Sequence, residues 1–206
     1  MTRARYVIGI SGPVGAGKST LAAGLAQALA DAAILQFDHY ERITEQPISD
    51  IRQWMEEGAD LDAIRIPGLA QALQSLKEGV AVIDPASGAT IEPRKYILFE
   101  TQFGRQHTAT GRYIDLMIWV DTPLDMALAR KVRQFASSVA EGAPGAARTF
   151  APWLSDYLEN YLDVVGELLR IQKKPVALGA DLSVDGEREP VVVREEVARL
   201  IRERLP

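Results

Sequence analysis

A glycine-rich segment near the amino terminus constrains this sequence more than any other feature. Residues 12–19 read Gly-Pro-Val-Gly-Ala-Gly-Lys-Ser, which fits the pattern G-x-x-x-x-G-K-[ST]. Glycines at these spacings allow the backbone to wrap, so that successive N–H groups point at the oxygens of a bound phosphate. The segment follows an apolar run and precedes a stretch with helical periodicity, as this motif requires. We therefore predict a phosphate-binding loop (P-loop) whose nucleotide-contacting residues are Gly12, Pro13, Val14, Gly15, Ala16, Gly17, Lys18, Ser19 and Thr20.

Two side chains of this loop carry specific chemistry. We expect Lys18 to reach the β- and γ-phosphates of a nucleoside triphosphate, and the Ser19 hydroxyl to bind Mg²⁺. The helix that follows adds the positive end of its dipole to the same place. The predicted ligands of the loop are therefore ATP and Mg²⁺.

The order of the predicted elements is that of an α/β protein. Tyr6–Ile10 and Ala33–Phe37 read as strands on either side of a helix, a βαβ unit whose two strands run parallel. Periodicity predicts further strands at 96–99, 114–120 and 180–184, a hairpin at 80–84 and 90–92, and helices at 48–57, 67–78, 150–171 and the carboxyl terminus. The prediction is a single P-loop domain over residues 1–206, built on a doubly wound parallel sheet of about five strands.

Two carboxylates stand at predicted strand ends, where open α/β sheets bind their ligands. Asp38 can accept the proton of an attacking hydroxyl group; the alternatives are a carboxylate that meets Mg²⁺ through water, or a turn cap. Glu100 can hold a Mg²⁺-bound water or position the acceptor, with a helix cap as the alternative. We predict a catalytic role for Asp38, and a metal- or substrate-binding role for Glu100.

Paired arginines follow the strand at 114–120. Arg130 and Arg133 are three residues apart and project from one helical face. Such arginines can neutralise charge on a transferring phosphoryl group when a lid closes, whereas a solvated helix face is the alternative. The helix is predicted to end where residues 137–147 become rich in Ala, Ser, Gly and Pro, and residues 134–150 are predicted to form a mobile lid segment. Arg148 is a weaker lid candidate within it.

Four segments beyond the phosphate-binding loop add to this prediction by their order and spacing. They are Gln36-Phe-Asp-His-Tyr40, Tyr96-Ile-Leu-Phe-Glu100, Val120–Arg133 and Ala180–Gly186. In these segments the chain resembles the uridine kinase/phosphoribulokinase family of small-molecule kinases. The resemblance spans most of the chain. It implies that the domain is a P-loop kinase domain, which transfers the γ-phosphoryl group of ATP to a hydroxyl group of a small molecule.

The sequence departs from that family where its members grip the nucleoside. Residues 54–62 lack the His-Pro-Asp type segment, although Asp60 or Asp62 can correspond to its aspartate. Residues 84–94 keep a proline but lack the Tyr-Asp pair and the histidine. The sequence therefore predicts phosphorylation of some small hydroxyl compound, and it does not single out uridine.

Several side chains are weaker candidates for contact with the acceptor. His39 and Tyr40 are predicted to line its pocket, with a partly buried strand-end pair as an equal alternative. Arg105, on a predicted loop with His107, could meet an anionic acceptor, although a solvated loop is the more common role. Three aromatic residues of the long helix are predicted to lie in the core: Trp153, Tyr157 and Tyr161.

Composition excludes several other classes of protein. Lys and Arg number 23 against 28 Asp and Glu, a net charge of −5, which argues against a generally basic nucleic-acid binder. There is no cysteine and there are only two histidines, so disulfides, thiol nucleophiles and multi-histidine metal sites are excluded. The apolar run at 6–10 is too short for a signal peptide or a membrane span. We expect a cytoplasmic protein that binds a small molecule and has no nucleic-acid or membrane partner. The sequence leaves open whether it forms a homo-oligomer.

Two other functions stay open. A nucleoside monophosphate or sugar-acid kinase would take an anionic acceptor and need extra arginines near Asp38. A regulatory P-loop ATPase would have no small-molecule acceptor at all. A GTPase is excluded, because guanine selection commonly uses an Asn-Lys-x-Asp loop and Asn160 is the only asparagine of the chain. The Ser-Gly-Gly-Gln-like signature of transporter ATPases is absent as well.

Overall fold

A five-stranded parallel sheet forms the centre of the protein. The computed structural model describes residues 4–41, 48–140, 142 and 146–206. The strands are β1 (Tyr6–Ser11), β2 (Ala32–Gln36), β3 (Val82–Ile83), β4 (Thr90–Ile91), β5 (Tyr96–Glu100), β6 (Ile114–Asp121) and β7 (Leu182–Asp185). The main sheet has the order β2-β5-β1-β6-β7, whereas β3 and β4 pair as a separate antiparallel hairpin. The doubly wound parallel sheet predicted from the sequence is confirmed.

Helices cover both faces of this sheet. They are α1 (Lys18–Leu29), α2 (Ile48–Glu56), α3 (Leu69–Glu78), α4 (Thr108–Gly111), α5 (Leu124–Ala140), α6 (Ala146–Asn160), α7 (Gly166–Leu178) and α8 (Pro190–Arg204). A π-helical turn, Tyr161–Val165, joins α6 to α7, and a 3₁₀ turn, Phe37–His39, follows β2. In the part of the chain that the structure describes, no helix has both the length and the apolar character needed to cross a membrane.

The strand order places the phosphate loop over the middle of the sheet. In β1, Ile10 lies opposite Glu100 of β5 on one side and Ile118 of β6 on the other. Glu100 in turn lies opposite Gln36 of β2. Because all five strands are parallel, their carboxyl ends share one edge, and the chain segments that leave β1, β2 and β5 meet there.

Alternating strand residues feed two separate hydrophobic cores. Ile8 and Ile10 point to the face covered by α1 and α8, where Leu25 of α1 is fully buried. Val7 points to the opposite face, where Leu73 of α3 is fully buried. Each buried leucine contributes about 1.5–3 kcal/mol. The sheet is therefore a rigid support for the residues at its edge.

Several helix boundaries differ from those predicted. Helix α3 begins at Leu69 and not at Pro67, because Gly68 adopts a left-handed conformation (φ 82°) immediately before it. Helix α5 runs on to Ala140, into the segment 137–147 that was predicted to be non-helical. The helix predicted at 150–171 is part of a longer helical chain, from Ala146 to Leu178. Residues 141 and 143–145 of the predicted lid lie outside the described residues.

The aromatic residues of α6 pack against α5 and not in the core. Trp153 and Tyr157 lie 4.5 and 5.6 Å from Phe135 between ring centroids, in edge-to-face geometry. Phe150 stacks on Trp153 at 5.9 Å. Trp153 is 38% exposed, so its prediction as a core residue was wrong. These rings supply an apolar contact between α5 and α6, which explains why helix extends into a segment whose composition is typical of loops.

Candidate active site

The phosphate loop connects β1 to α1 and lies against the start of α5. Gly15 has φ +84°, and a Cβ at this position would collide with the carbonyl oxygen of Ala127. Gly17 has φ +102°, but a Cβ there would meet no atom within 4 Å. Thr122 is buried and donates its hydroxyl hydrogen to the carbonyl oxygen of Ala16 at 3.1 Å. Glycine is therefore required at position 15 for space as well as conformation, and at 17 for conformation alone.

Lys18 is held inside the loop that carries it. Its side chain is 8% exposed, and Nζ donates to the carbonyl oxygens of Gly12 and Pro13 at 3.0 and 3.1 Å. Burial lowers the pKa of Lys18, while the carboxylates of Glu100 and Asp38 oppose that shift. The ammonium group is thus partly desolvated and lies near two carboxylates, where it can meet phosphate oxygens.

Ser19 and Glu100 form a pair of oxygen groups beside Lys18. The Ser19 hydroxyl donates to Oε1 of Glu100 at 2.8 Å, and the amide of Gln36 lies 3.5 Å from Oε2. Glu100 is only 8% exposed. Among the described residues there is no cluster of three or more Asp, Glu, His or Cys side chains that could cage a metal ion. A metal at this pair would therefore take few ligands from the protein, which is typical of Mg²⁺.

Asp38 lies in the 3₁₀ turn that follows β2. Phe37 is 1% exposed and anchors this turn in the core, whereas the Asp38 side chain is exposed. Oδ1 of Asp38 accepts a hydrogen bond from Nε2 of Gln102 at 3.1 Å. The carboxylate therefore has a fixed neighbour on one oxygen and is accessible from solvent.

Arg130 and Arg133 project from α5 over the same edge of the sheet. Arg130 is half-buried, and Nη1 donates to the carbonyl oxygen of Gly186 at 2.8 Å, which ties α5 to the turn after β7. Arg133 is exposed one helical turn further on. Two guanidinium groups thus border the space above the phosphate loop.

One cavity of about 580 Å³ brings these groups together. Its lining includes Lys18, Ser19, Asp38, Glu100, Arg130 and Arg133. The cavity also contains Gln102, Lys131 and Arg188, which the sequence analysis missed. Gln102 lies two residues beyond the end of β5, and Lys131 lies between the two arginines, so position alone could have indicated both. Arg188 follows β7 and had no comparable signal.

His39 pairs with an aspartate that the sequence analysis did not consider. Its Nδ1 lies 2.9 Å from each carboxylate oxygen of Asp84, which is 6% exposed. The half-buried Tyr40 follows it, and burial, together with the charge of Asp84, raises the pKa of the Tyr40 phenol. The structure thus places His39 close to Asp38 along the chain but directs its ring to the β3–β4 hairpin.

The structure places the other candidates away from this cavity. Arg105 forms an ion pair with Asp181 at 2.7 Å and donates to the carbonyl oxygen of Gly179, so its suggested contact with an acceptor is corrected to a structural role. His107 is 4% exposed, and its Nδ1 lies 2.8 Å from the hydroxyl of Thr110 and its Nε2 3.1 Å from the carbonyl oxygen of Ile64. Arg148 is exposed on α6 and is not part of the cavity lining. Arg105 and His107, loop residues of the types that often bind an acceptor, therefore stabilise the fold.

The aspartates at 60 and 62 also act locally. Asp60 accepts a hydrogen bond from the backbone N–H of Asp62 and caps a 3₁₀ turn. The carboxylate of Asp62 accepts two hydrogen bonds from Thr108, one from the hydroxyl and one from the backbone N–H, each at 2.6 Å. These bonds lower the pKa of Asp62. Neither residue lines the cavity.

Comparison with known proteins identifies the fold. No protein-family model and no curated protein sequence matches the chain. Among solved structures, a sugar kinase from a Janibacter species is similar with a TM-score of 0.53 and 13% identity, over 96% of this chain and 95% of that one. A possible uridine kinase from Bacillus stearothermophilus gives a TM-score of 0.49 and 17% identity, over 90% and 91% of the two chains. Together with the sheet order and the phosphate loop, the first similarity shows that the chain has the P-loop kinase fold.

Proposed function

We propose that the protein is an ATP-dependent kinase that transfers the γ-phosphoryl group to a hydroxyl group of a small molecule. One observation carries this proposal: a single cavity contains the buried lysine of the phosphate loop, a serine–glutamate pair, an exposed aspartate and two arginines. Phosphoryl transfer depends on positioning and charge stabilisation, and these are the groups that it requires. We also propose that the enzyme is uridine kinase-like and that it is located in the cytoplasm.

The residues present fit Mg²⁺ bound with ATP. Ser19 Oγ and the Glu100 carboxylate would hold the ion, directly or through water. When bound, Mg²⁺ supplies positive charge to the β- and γ-phosphate oxygens. Lys18 adds a second positive group to the same oxygens, since its ammonium already lies within the loop.

Asp38 is the general base that accepts the proton of the acceptor hydroxyl group. As the acceptor oxygen forms its bond to the γ-phosphorus, the bond from that phosphorus to the β–γ bridging oxygen breaks and ADP leaves. The hydroxyl proton passes to a carboxylate oxygen of Asp38. Gln102 donates a hydrogen bond to Oδ1, so we assign the proton to the other carboxylate oxygen, Oδ2.

Arg130 and Arg133 stabilise the charge that is spread over the transferring group. Arg130 is positioned by the carbonyl oxygen of Gly186, and Arg133 reaches from the same face of α5. These arginines contribute most when charge develops on the phosphoryl oxygens, so they act on the rate more than on the affinity for ATP.

ADP release from Mg·ATP, with mass spectrometry of the phosphorylated product, tests this proposal. Lys18→Ala should weaken ATP binding and reduce transfer at least about 100-fold, because it removes a buried positive group from the phosphates. Lys174→Ala is the matched control, since Lys174 is exposed on α7 and outside the cavity. Unchanged turnover in Lys18→Ala would refute the phosphate site. ADP release without any phosphorylated acceptor would favour the regulatory ATPase.

A further inference from the structure

A second cavity of about 330 Å³ adjoins the first one. The two share Ser19 and Glu100, so a molecule in the second cavity can extend a hydroxyl group into the first cavity, which Asp38 lines. Alanine and isoleucine side chains from α1, β2 and β4 form its apolar walls. Its volume lies at the lower end of the range for small-molecule sites. The cavity therefore suits a compact ligand.

The His39–Asp84 pair supplies the specific polar group of this cavity. Asp84 accepts hydrogen bonds from Ser87 Oγ at 2.5 Å and from the backbone N–H of Ala86 at 3.3 Å, in addition to its contact with His39. Burial would raise the pKa of Asp84, but these hydrogen bonds outweigh burial and lower it. With Nδ1 facing the carboxylate, Nε2 is the ring nitrogen left to meet a ligand.

The charges around the cavity exclude a class of ligand. Among the described residues that line it, none is lysine or arginine, whereas Asp84 and Glu100 are carboxylates. A carboxylate or phosphate group placed here would lose its water and gain no positive partner. A neutral hydroxyl compound meets no such penalty and can hydrogen-bond with His39, Gln36 and the carboxylates.

We propose that this cavity binds the phosphoryl acceptor, and that the His39–Asp84 pair selects a compact hydroxyl compound with an apolar face and no negative charge. The inference rests on the proposed kinase function and names the substrate class of that enzyme. Asp84 acts as a positioning residue: it holds the His39 ring so that Nε2 meets an acceptor hydroxyl group. It also connects the β3–β4 hairpin to the turn that carries Asp38.

Matched pairs of acceptors test the substrate class with the wild-type protein. The pairs are glucose and gluconate, uridine and uridine 5′-phosphate, glycerol and glycerol 3-phosphate, and pyridoxine and 4-pyridoxate. ADP release and product mass are measured for each compound. We expect kcat/KM for the neutral member of at least one pair to exceed that of its anionic partner by about tenfold or more. Preference for the anionic members would overturn the inference and leave the kinase function intact. A panel with no phosphorylated product would overturn both.

Two variants test the location of the acceptor. Ala23 is exposed on α1 and lines the cavity, so Ala23→Leu fills part of it without entering the core. We expect Ala23→Leu and Asp84→Asn to raise the acceptor KM about tenfold or more and to leave the KM for ATP unchanged. Ala151→Leu, at an exposed position of α6 outside both cavities, is the matched control. If Asp84→Asn fails to fold, Ala23→Leu still decides the question. Wild-type acceptor KM in Ala23→Leu would show that the acceptor binds elsewhere.

Discussion

Replacement of Asp38 by asparagine separates the proposed chemistry from nucleotide binding. The amide has nearly the same shape as the carboxylate, and its oxygen can still accept the hydrogen bond from Gln102. The side chain is exposed, so the fold loses little when the charge is removed. The variant therefore removes the proton acceptor and leaves its surroundings in place.

The size of the effect follows from the position of the carboxylate. A positioned general base contributes about 10²–10⁴ in rate, which corresponds to roughly 2.7–5.4 kcal/mol of activation free energy. The effect on ATP affinity should be small, because Asp38 influences Lys18 less than burial and Glu100 do. An exposed charge contributes about 0–1 kcal/mol, or at most about fivefold in affinity.

Single-turnover transfer and equilibrium ATP titration measure the two quantities separately. We expect Asp38→Asn to reduce transfer at least about 100-fold, with ATP affinity within about fivefold of wild type. Gln102→Ala should reduce transfer by a smaller factor, because it removes only the group that orients the carboxylate. Turnover of Asp38→Asn close to wild type would refute its role as the base and leave a water-mediated metal contact as the alternative.

Two further predictions follow from the geometry. Gly15→Ala should abolish ATP binding, because the new Cβ collides with the carbonyl oxygen of Ala127. Gly17→Ala meets no such collision and should cost only about 1–2 kcal/mol of backbone strain. ATP titration and thermal unfolding measure the two effects, and identical behaviour of both variants would contradict this prediction. Asp181→Asn should lower the urea midpoint at pH 7: burial raises the pKa of Asp181, but hydrogen bonds from Arg105 and the Met117 N–H outweigh it and lower the pKa. The stability that ionised Asp181 contributes is present above its unfolded-state pKa of about 3.9 and is lost as the pH falls through its lower folded-state pKa. Urea midpoints of wild type and Asp181→Asn, measured from about pH 2 to 7, should therefore converge in acid. A difference that stays constant with pH would refute this reasoning.

The parts of the site that follow from local sequence were predictable. The P-loop depends on glycine conformations and on one strand–helix junction, all within residues 6–29. Asp38 and Glu100 were found because parallel strands bring their carboxyl ends to one edge. Each of these inferences needs only the chain direction and the order of elements, which periodicity reveals.

The remaining features depend on contacts between distant segments. His39 and Asp84 are 45 residues apart, and their pairing depends on where the β3–β4 hairpin packs. Arg105 meets its partner Asp181 across 76 residues, so its loop position alone suggested a role in binding. The composition of residues 137–147 indicates a loop, yet aromatic contacts between α5 and α6 favour helix at both ends of this segment. Such tertiary contacts override local preference.

The burial of Lys18 has a consequence for the balance between folding and binding. Its ammonium group has exchanged most of its hydration for the carbonyl oxygens of Gly12 and Pro13. An arriving phosphate therefore meets a cation that needs little further dehydration, in surroundings where opposite charges attract more strongly than in water. The free-energy cost of dehydrating Lys18 therefore lowers the stability of the folded chain and does not weaken phosphate binding. The buried charge that favours phosphate binding thus destabilises the fold, so the residue that suits the chemistry is not the one that would give the most stable loop.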